Sequence, residues 1–494
     1  MRHLKRIVSF LLVTTLFITT VFAANNILAS SIEEAKTIPT TGKAVSFSVT
    51  KDEPTYYGKF TVAQAGLVQL TVKKPTQGKI NFKVLAEDKE TVVLDKDFTN
   101  SSSSISEWLP KGTFYVVFTR HDVTGTVSVA AKYSKPQNMD TEPNNTQETA
   151  QTYNLGSKLY GLITWNDNYD IFKINVTKPG VVTLDLKKYL SGTIIMGVKN
   201  GAGETAAATT LTPAKNQGRL SVNLNKGTYY ISIQSTNNST GRYLLQSSWK
   251  LAKTDAEVNN TIVQAKNFAL STKLTKRYGF IGFKDTADYY KITLNRAGRV
   301  ILNFGKEFVG DLSYQLLLPD DKTNILAGNV TGKGTEKKPI TKQASTYLEK
   351  GTYYLKVYPK EGEQYSSGQY FIQSKFISVA NDSTSNSNID TPQRIYANAK
   401  FTHGCLTWQD NSDHYLVTTS KEGTLHITFK KDFTGDCTVE ILNGANKNVE
   451  KSYAAPKKAG TYGVDLTVNK GSYIIKVVKK TNNVGTYHLK AQYK

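Results

Sequence analysis

Carboxylates and side-chain amides recur in a fixed order through the middle of this 494-residue chain. One phrase reads Asp140-Thr-Glu142-Pro-Asn144-Asn145-Thr146 and returns as Asp255-Ala-Glu257-Val-Asn259-Asn260-Thr261. A second phrase follows each of these, Asp167-x-x-Asp170 and then Asp285-x-x-Asp288. Calcium takes roughly six to eight hard oxygens from carboxylates, amide carbonyls and backbone. A Glu, an Asn and two Asp drawn from two neighbouring loops supply about four or five of these. Asp140, Glu142, Asn144, Asn145, Asp167 and Asp170 therefore form one candidate structural calcium site, and Asp255, Glu257, Asn259, Asn260, Asp285 and Asp288 a second. Such an ion would pin the entry of a domain to its body. The same residue types also cap turns and bond to nearby backbone N–H groups, and spacing alone leaves both uses open. The echo weakens elsewhere. Asp410-x-x-Asp413 keeps the second phrase but follows only Ser387-Asn388-Ile389-Asp390, and Asp52-Glu53-Pro54-Thr55 stands without an entry phrase.

The loops that carry these residues belong to one unit written four times. Leu109-Pro-Lys-Gly112-Thr-Phe-Tyr115 recurs as Leu224-Asn-Lys-Gly227-Thr-Tyr-Tyr230, Leu348-Glu-Lys-Gly351-Thr-Tyr-Tyr354 and Val468-Asn-Lys-Gly471-Ser-Tyr-Ile474. A later phrase follows each, Gly125-Thr-Val127, Gly241-Arg-Tyr243, Gly368-Gln-Tyr370 and Gly485-Thr-Tyr487, and an earlier strand–Gly–strand pair centres on Gly66, Gly180, Gly298 and Gly423. The period is that of a whole domain, so each unit can bury its own core. Runs such as Phe172-Lys-Ile-Asn-Val176 and Tyr354-Leu-Lys-Val-Tyr358 alternate with period two, which gives a strand one buried and one wet face. Gly, Asn, Asp and Lys-Gly punctuate these runs at short intervals, the signature of an antiparallel sandwich. The expected fold is all-β, with four tandem antiparallel β-sandwich domains spanning residues 31–138, 139–252, 253–377 and 378–494. The glycine of each Leu-x-x-Gly phrase is expected in a positive-φ turn. The tyrosine of Gly-x-Tyr is either a corner residue bonded to backbone or a plain core aromatic.

Residues 1–23 read as a secretory signal peptide. A basic start is followed by an apolar stretch from Ile7 to Ala23, with Val21 and Ala23 at a small-residue cleavage site. No second apolar span follows, so the mature chain is expected outside the membrane, secreted and extracellular or held at the cell surface. In that compartment Cys405 and Cys437 are candidates for a disulfide. Their counterparts in the other units (Leu162 and Ile194, Phe280 and Leu312) are apolar, so both are expected to point inward. The alternative is a pair of buried thiols.

The net charge is +22, from 62 Lys+Arg against 40 Asp+Glu. The excess is spread over all four units without a dense cluster. That argues against sequence-specific nucleic-acid reading and suits many-point attraction to a polyanionic surface. Signatures of a metalloprotease helix, a serine nucleophile elbow or a phosphate loop do not occur. Recurrence of the Asp pairs in three units speaks against a glycosidase pair, because a structural ion site is copied along a chain more readily than an active site.

Units two and three resemble the bacterial pre-peptidase C-terminal domain and the related collagen-binding domain of clostridial collagenases. The matching residues are Glu142-Pro-Asn144-Asn145-Thr146, Ala150, Gly161, Asp167, Asp170, Leu224-x-x-Gly227-Thr-Tyr-Tyr230 and Gly241-x-Tyr243. In unit three they are Glu257, Asn259, Asn260, Ala265, Gly279, Asp285, Asp288, Gly351-Thr-Tyr-Tyr354 and Gly368-x-Tyr370. Unit four matches in its second half and unit one only in its last third. The resemblance implies a jelly-roll sandwich with calcium at the entry loop, and a non-catalytic module usually appended to secreted peptidases. This chain carries no peptidase. The expectation is a secreted, non-enzymatic binding or scaffold protein, multivalent for cell-wall polymers, matrix polymers or a host matrix protein such as collagen. Its contact surface is expected in the Lys rows and the Tyr-rich strands around Tyr229, Tyr230, Tyr353 and Tyr354. Alternatives are an accessory or inhibitory partner of a secreted peptidase and a structural subunit of a surface layer or fibre.

Overall fold

A computed structural model describes residues 31–76, 78–236, 239–253, 258–360, 366–379 and 384–494. The expected signal peptide, Asp255 and Glu257 lie outside the described residues.

Unit two shows the plan. Its five-stranded sheet runs Gln151–Thr152, Tyr169–Val176, Gly227–Ser235, Ile194–Asn200, Thr205–Leu211. The facing four-stranded sheet runs Lys158–Ile163, Gly241–Leu251, Gly180–Lys188, Gln217–Leu224. The two-residue entry strand pairs parallel to its neighbour, and the other ladders are antiparallel. Leaving out the entry strand, the order is that of a jelly roll. The other three units, the first included, have the same two sheets in the same order.

The strands follow from alternation. In Gly180–Lys188, Val182, Leu184 and Leu186 are buried between intermediate neighbours, and they join Phe172, Ile174, Ile231, Ile233 and Leu245 in one core. Three further cores of the same kind fill the other units.

The last inward position of that strand, or in unit one the residue just beyond it, is occupied by a lysine in every unit. Lys74, Lys188, Lys306 and Lys431 are all buried. Each ammonium donates to carbonyls of the loop that follows and, in three units, of a second segment. Lys188 Nζ reaches Leu190 O at 3.3 Å and Gly192 O at 2.5 Å. Lys306 Nζ binds the carbonyls of Phe308, Gly310 and Gly332. Lys74 and Lys431 do the same with Gly78 and Phe98, and with Gly435 and Lys457. A buried ammonium is tolerated only when its donors are satisfied, and here it draws together loop carbonyls, two of which, Phe308 O and Lys457 O, also accept a backbone N–H.

A second internal pattern separates unit one from the rest. Gly161, Gly279 and Gly404 sit directly across from Tyr243, Tyr370 and Tyr487. A Cβ on any of these glycines would lie 2.0–2.3 Å from the tyrosine ring. Unit one reverses the bulk, with Phe47 opposite Val127. Total volume across the strand pair is kept, which is why a core of the same shape survives.

Two expectations are corrected. Gly227, Gly351 and Gly471 open strands without positive φ; the left-handed region is instead entered at Gly125, Gly241 and Gly368, with φ of 100°, 139° and 143°. The Cys405–Cys437 disulfide is not formed. Cys437 faces the core of unit four from the five-stranded sheet. Cys405 lies on the other sheet between Gly404 and Leu406, which both face the core, so its side chain points the opposite way. Two sulfurs aimed in that manner cannot be bridged without moving a strand. Burial pushes the Cys437 thiol up to about 11.

Candidate metal centres and the joints between units

The entry segment of unit two is sewn onto the edge of the four-stranded sheet. Met139 bridges Tyr160 in parallel, Asp140 N donates to Tyr160 O at 2.8 Å, and Leu162 N donates to the Asp140 carboxylate at 3.3 Å. Beyond it, Asn144 O accepts from Ile171 N at 2.7 Å, which ties the segment to the five-stranded sheet as well. The loop between Lys158–Ile163 and Tyr169–Val176 closes with Thr164 N donating to Asp167 O. The two acidic phrases meet where the sheets part.

Asp140, Glu142 and Asp170 each bring one oxygen to within 4.8 Å of the others. Asp167 stands beside them, its carboxylate accepting from Asn145 Nδ2 at 2.5 Å. Asp170 and Asn144 are fully buried, and Glu142 is the exposed member. One oxygen of Asp170 accepts the phenol of Tyr243, so the tyrosine is neither a backbone-bonded corner nor a plain aromatic. The other oxygen, Oδ1, is buried without a partner, as are both polar atoms of the Asn144 amide.

The carboxyls of this cluster are all shifted in one direction. Burial, with Glu142 adjacent, holds the Asp140 carboxyl well above the ordinary carboxylate range. Burial, with Asp140 next in weight, does the same to Asp170. Burial and then the Asp167 charge push Glu142 up to about 7, and burial raises Asp167. Four acids held near one another, one fully buried and two half-buried, resist ionising together. Oxygen-only donors, converging and partly orphaned, fit a hard divalent cation.

Unit three repeats the part that is described. Asn259 O accepts from Tyr289 N at 2.7 Å, and Asn259, Asp285 and Asp288 are buried. Asp288 accepts the phenol of Tyr370, which also bonds the Tyr290 hydroxyl at 2.6 Å. The amide oxygens of Asn259 and Asn260 are buried without partners.

Unit four keeps the framework and changes the charge. Asp413 accepts from Tyr487 at 2.6 Å. Its entry asparagine is Asn386, whose carbonyl oxygen lies 3.0 Å from the His414 ring. Asn144, Asn259 and Asn386 stand the same distance upstream of Tyr153, Phe268 and Ile395, which make identical backbone bonds to the second strand. The counterpart of Asn144 is thus Asn386, and the phrase Ser387-Asn388-Ile389-Asp390 lies just beyond it. Thr384 then takes the place of Glu142. Lys479 places its ammonium in the Asp410 loop, donating to Thr407 O at 2.7 Å and Trp408 O at 2.8 Å. A buried ammonium thus stands beside Asp410 in this loop. Unit one departs at the buried position, where Tyr56 replaces Asp170 and accepts from Thr50 N at 2.7 Å.

The acidic loops also face the preceding unit. Phe283, two residues before Asp285, packs against the core of unit two, and its N–H donates to Asn223 O at 2.8 Å. Asn225 of unit two donates to the Asp285 carboxylate at 3.3 Å. Trp408 repeats this in unit four, packing on the core of unit three and donating to Tyr347 O at 2.8 Å. The first joint uses other groups, with Thr240 donating to Glu107 at 2.9 Å and Arg242 stacking 5.6 Å from the Trp108 ring. These joints were not legible beforehand, although an aromatic at positions 165, 283 and 408 of three units is visible in the sequence. Of the tyrosines expected at a contact surface, Tyr229 and Tyr353 are core residues, while Tyr230 and Tyr354 are half-buried.

No family model matches the chain, and no curated protein matches it. Among solved structures it is similar to the pre-peptidase C-terminal domain of a Bacillus anthracis collagenase, at 17% identity and a TM-score of 0.20, over 22% of this chain and 100% of that one. It is also similar to an archaeal-virus protein described by its triple jelly roll fold and turret assembly, at 8% identity and a TM-score of 0.17, over 67% of this chain and 83% of that one. A Parabacteroides distasonis protein inferred to be secreted aligns at 8% identity and a TM-score of 0.19, over 41% of this chain and 88% of its own. No helix among the described residues is long and apolar enough to cross a membrane.

Proposed function

We propose that this chain is a secreted, non-catalytic attachment protein that holds polyanionic wall or matrix polymers through several weak contacts, with structural calcium in units two and three. The observation that carries the reading is repetition: four sandwiches of one topology in series, on a chain of net charge +22. Weak contacts copied along one chain multiply through effective concentration, and a surface excess of Lys and Arg attracts anionic polymers over several ångströms.

The acidic centres support a holding role rather than a reactive one. Asp170 is buried and already engaged by Tyr243, which leaves it poorly placed to meet a substrate. Calcium at Asp140, Glu142, Asn144 and Asp170 would neutralise the cluster and join the entry segment to the sandwich. In unit three Asn259 and Asp288 would hold the corresponding ion, and Asp285 of the same loop is bonded to Asn225 of unit two, so the ion would stiffen that joint. Incubating the purified mature chain with insoluble wall fragments and with collagen fibres, at rising salt, tests the attachment reading. Retention on the anionic wall that falls with salt supports it. Equal passage through every matrix at low salt overturns it.

A further inference from the structure

We infer that the clefts at the first and third joints are subsites for one extended anionic polysaccharide, a deepening that rests on the attachment reading above. At the first joint a cleft of about 300 Å³ is lined by Trp108 of unit one and by Lys135, Tyr160 and Arg242. The Arg242 guanidinium lies 4.7, 5.3 and 5.6 Å from the ring centres of Tyr189, Tyr160 and Trp108. It makes no ion pair among the described residues. At the third joint the equivalent cleft, about 240 Å³, is lined by Arg299 and Tyr347 of unit three and by His403 and His488 of unit four. Arg299 lies 5.8 Å from the Tyr347 ring and donates to Ser345 Oγ at 3.0 Å, again with no carboxylate partner. Trp108 and Tyr347 occupy the same place, each across the ladder from the residue after the strand glycine. Among the described residues no acidic side chain lines either cleft, although His488 at the rim of the second lies 3.2 Å from the Asp432 carboxylate.

Arg242, clamped by aromatic faces, keeps its N–H edge for an outside acceptor, and its planar fork matches a carboxylate or sulfate; Arg299 has one ring beside it and spends one N–H on Ser345. Flat rings beside it offer a platform for the apolar face of a sugar. Charge alone would select any polyanion, but each cleft supplies only one or two cations among several rings. That composition favours a sugar polymer with spaced acidic groups over a nucleic acid, whose affinity comes from many phosphate contacts. The middle joint is built differently. There Lys250 and Lys253 are both committed to Glu336, at 2.6 and 2.7 Å.

Titration of the full mature chain with polygalacturonate, neutral dextran and a single-stranded oligodeoxynucleotide of matched charge tests this. Binding to polygalacturonate and not to dextran is expected. Trp108→Ala and Tyr347→Ala, which leave net charge unchanged, should each weaken it about tenfold, and together more than either, as linked sites require. Arg242→Lys should lose most of the affinity although the charge remains. The melting temperature of each variant guards against misfolding, and Arg299→Ala gives an independent test should Trp108→Ala unfold unit one. Polygalacturonate binding that survives these substitutions overturns the clefts as subsites and leaves the attachment reading standing. Oligodeoxynucleotide binding as tight as polygalacturonate, and indifferent to Trp108, overturns the sugar assignment. Absence of binding to every anionic polymer defeats both readings.

Discussion

Tyr243 donates its phenol hydrogen bond to Asp170, 73 residues upstream, from a position directly across the ladder from Gly161. The glycine makes room for the ring, the ring reaches the carboxylate, and the carboxylate lies within 4.8 Å of oxygens of Asp140 and Glu142. Core packing and the acidic centre are thus one device. Tyr243→Phe should keep the packing and strip the donor from a buried carboxylate, costing about 1–3 kcal/mol. Urea unfolding followed by a probe in unit two checks this; an unchanged midpoint would show that the bond contributes nothing.

Calcium binding should raise the melting temperature of the chain, and a chelator should reverse the gain, because a ligand that binds only the folded state stabilises it by mass action. Asp140→Asn with Glu142→Gln should abolish the unit-two part. Identical melting curves with calcium and with chelator would remove the metal from this account.

The same carboxylates set a pH dependence. Glu142 is raised from 4.5 to about 7, and Asp140 and Asp170 are raised too. A raised acid favours the metal-free fold below its ordinary pKa, and that contribution is lost as pH climbs through the folded value. Calcium must displace these protons. Affinity measured calorimetrically should therefore climb steeply between about pH 5 and 8, while the metal-free protein loses stability over the same window. A flat affinity profile would contradict the assignment of Glu142 as a ligand.

Lys306→Met should destabilise unit three by about 1–3 kcal/mol, since the carbonyls of Phe308, Gly310 and Gly332 would lose the donor that ties their two segments together. Hydrogen exchange should show opening of the loop after Lys306 first. A variant as stable as the parent would mean that water replaces the ammonium without loss.

Both cysteines should be alkylated after denaturation without reductant, adding two labels in a mass spectrum. In the native protein Cys437 should react slowly, its thiol being buried and raised to about 11. Labels that appear only after reduction would restore the bridge.

Much of the scaffold was legible in the chain itself. Period-two alternation in segments such as Gly180–Lys188 needs nothing beyond its own residues to become a strand with one face inside. The fourfold phrases announced four copies of one unit, and the acidic phrases announced which loops of unit two would meet. Local pattern could not place Asn386, because its neighbours had lost the Glu and only its backbone bonding to the second strand reveals the match. The aim of Cys405 likewise depends on which face of its sheet is the core, a property of the pairing and not of its neighbours' hydropathy.

What sequence alone determined was the periodicity: strands, turns, repeats and the set of oxygens on two loops, all of which rest on interactions between residues near one another in the chain. Tertiary structure decided the rest. It joined Tyr243 to Asp170, turned the two sulfurs apart, set a lysine at the end of each core and brought Arg242 against Trp108. Those pairings close across dozens of residues, and their geometry is set only when two sheets, or two units, come together.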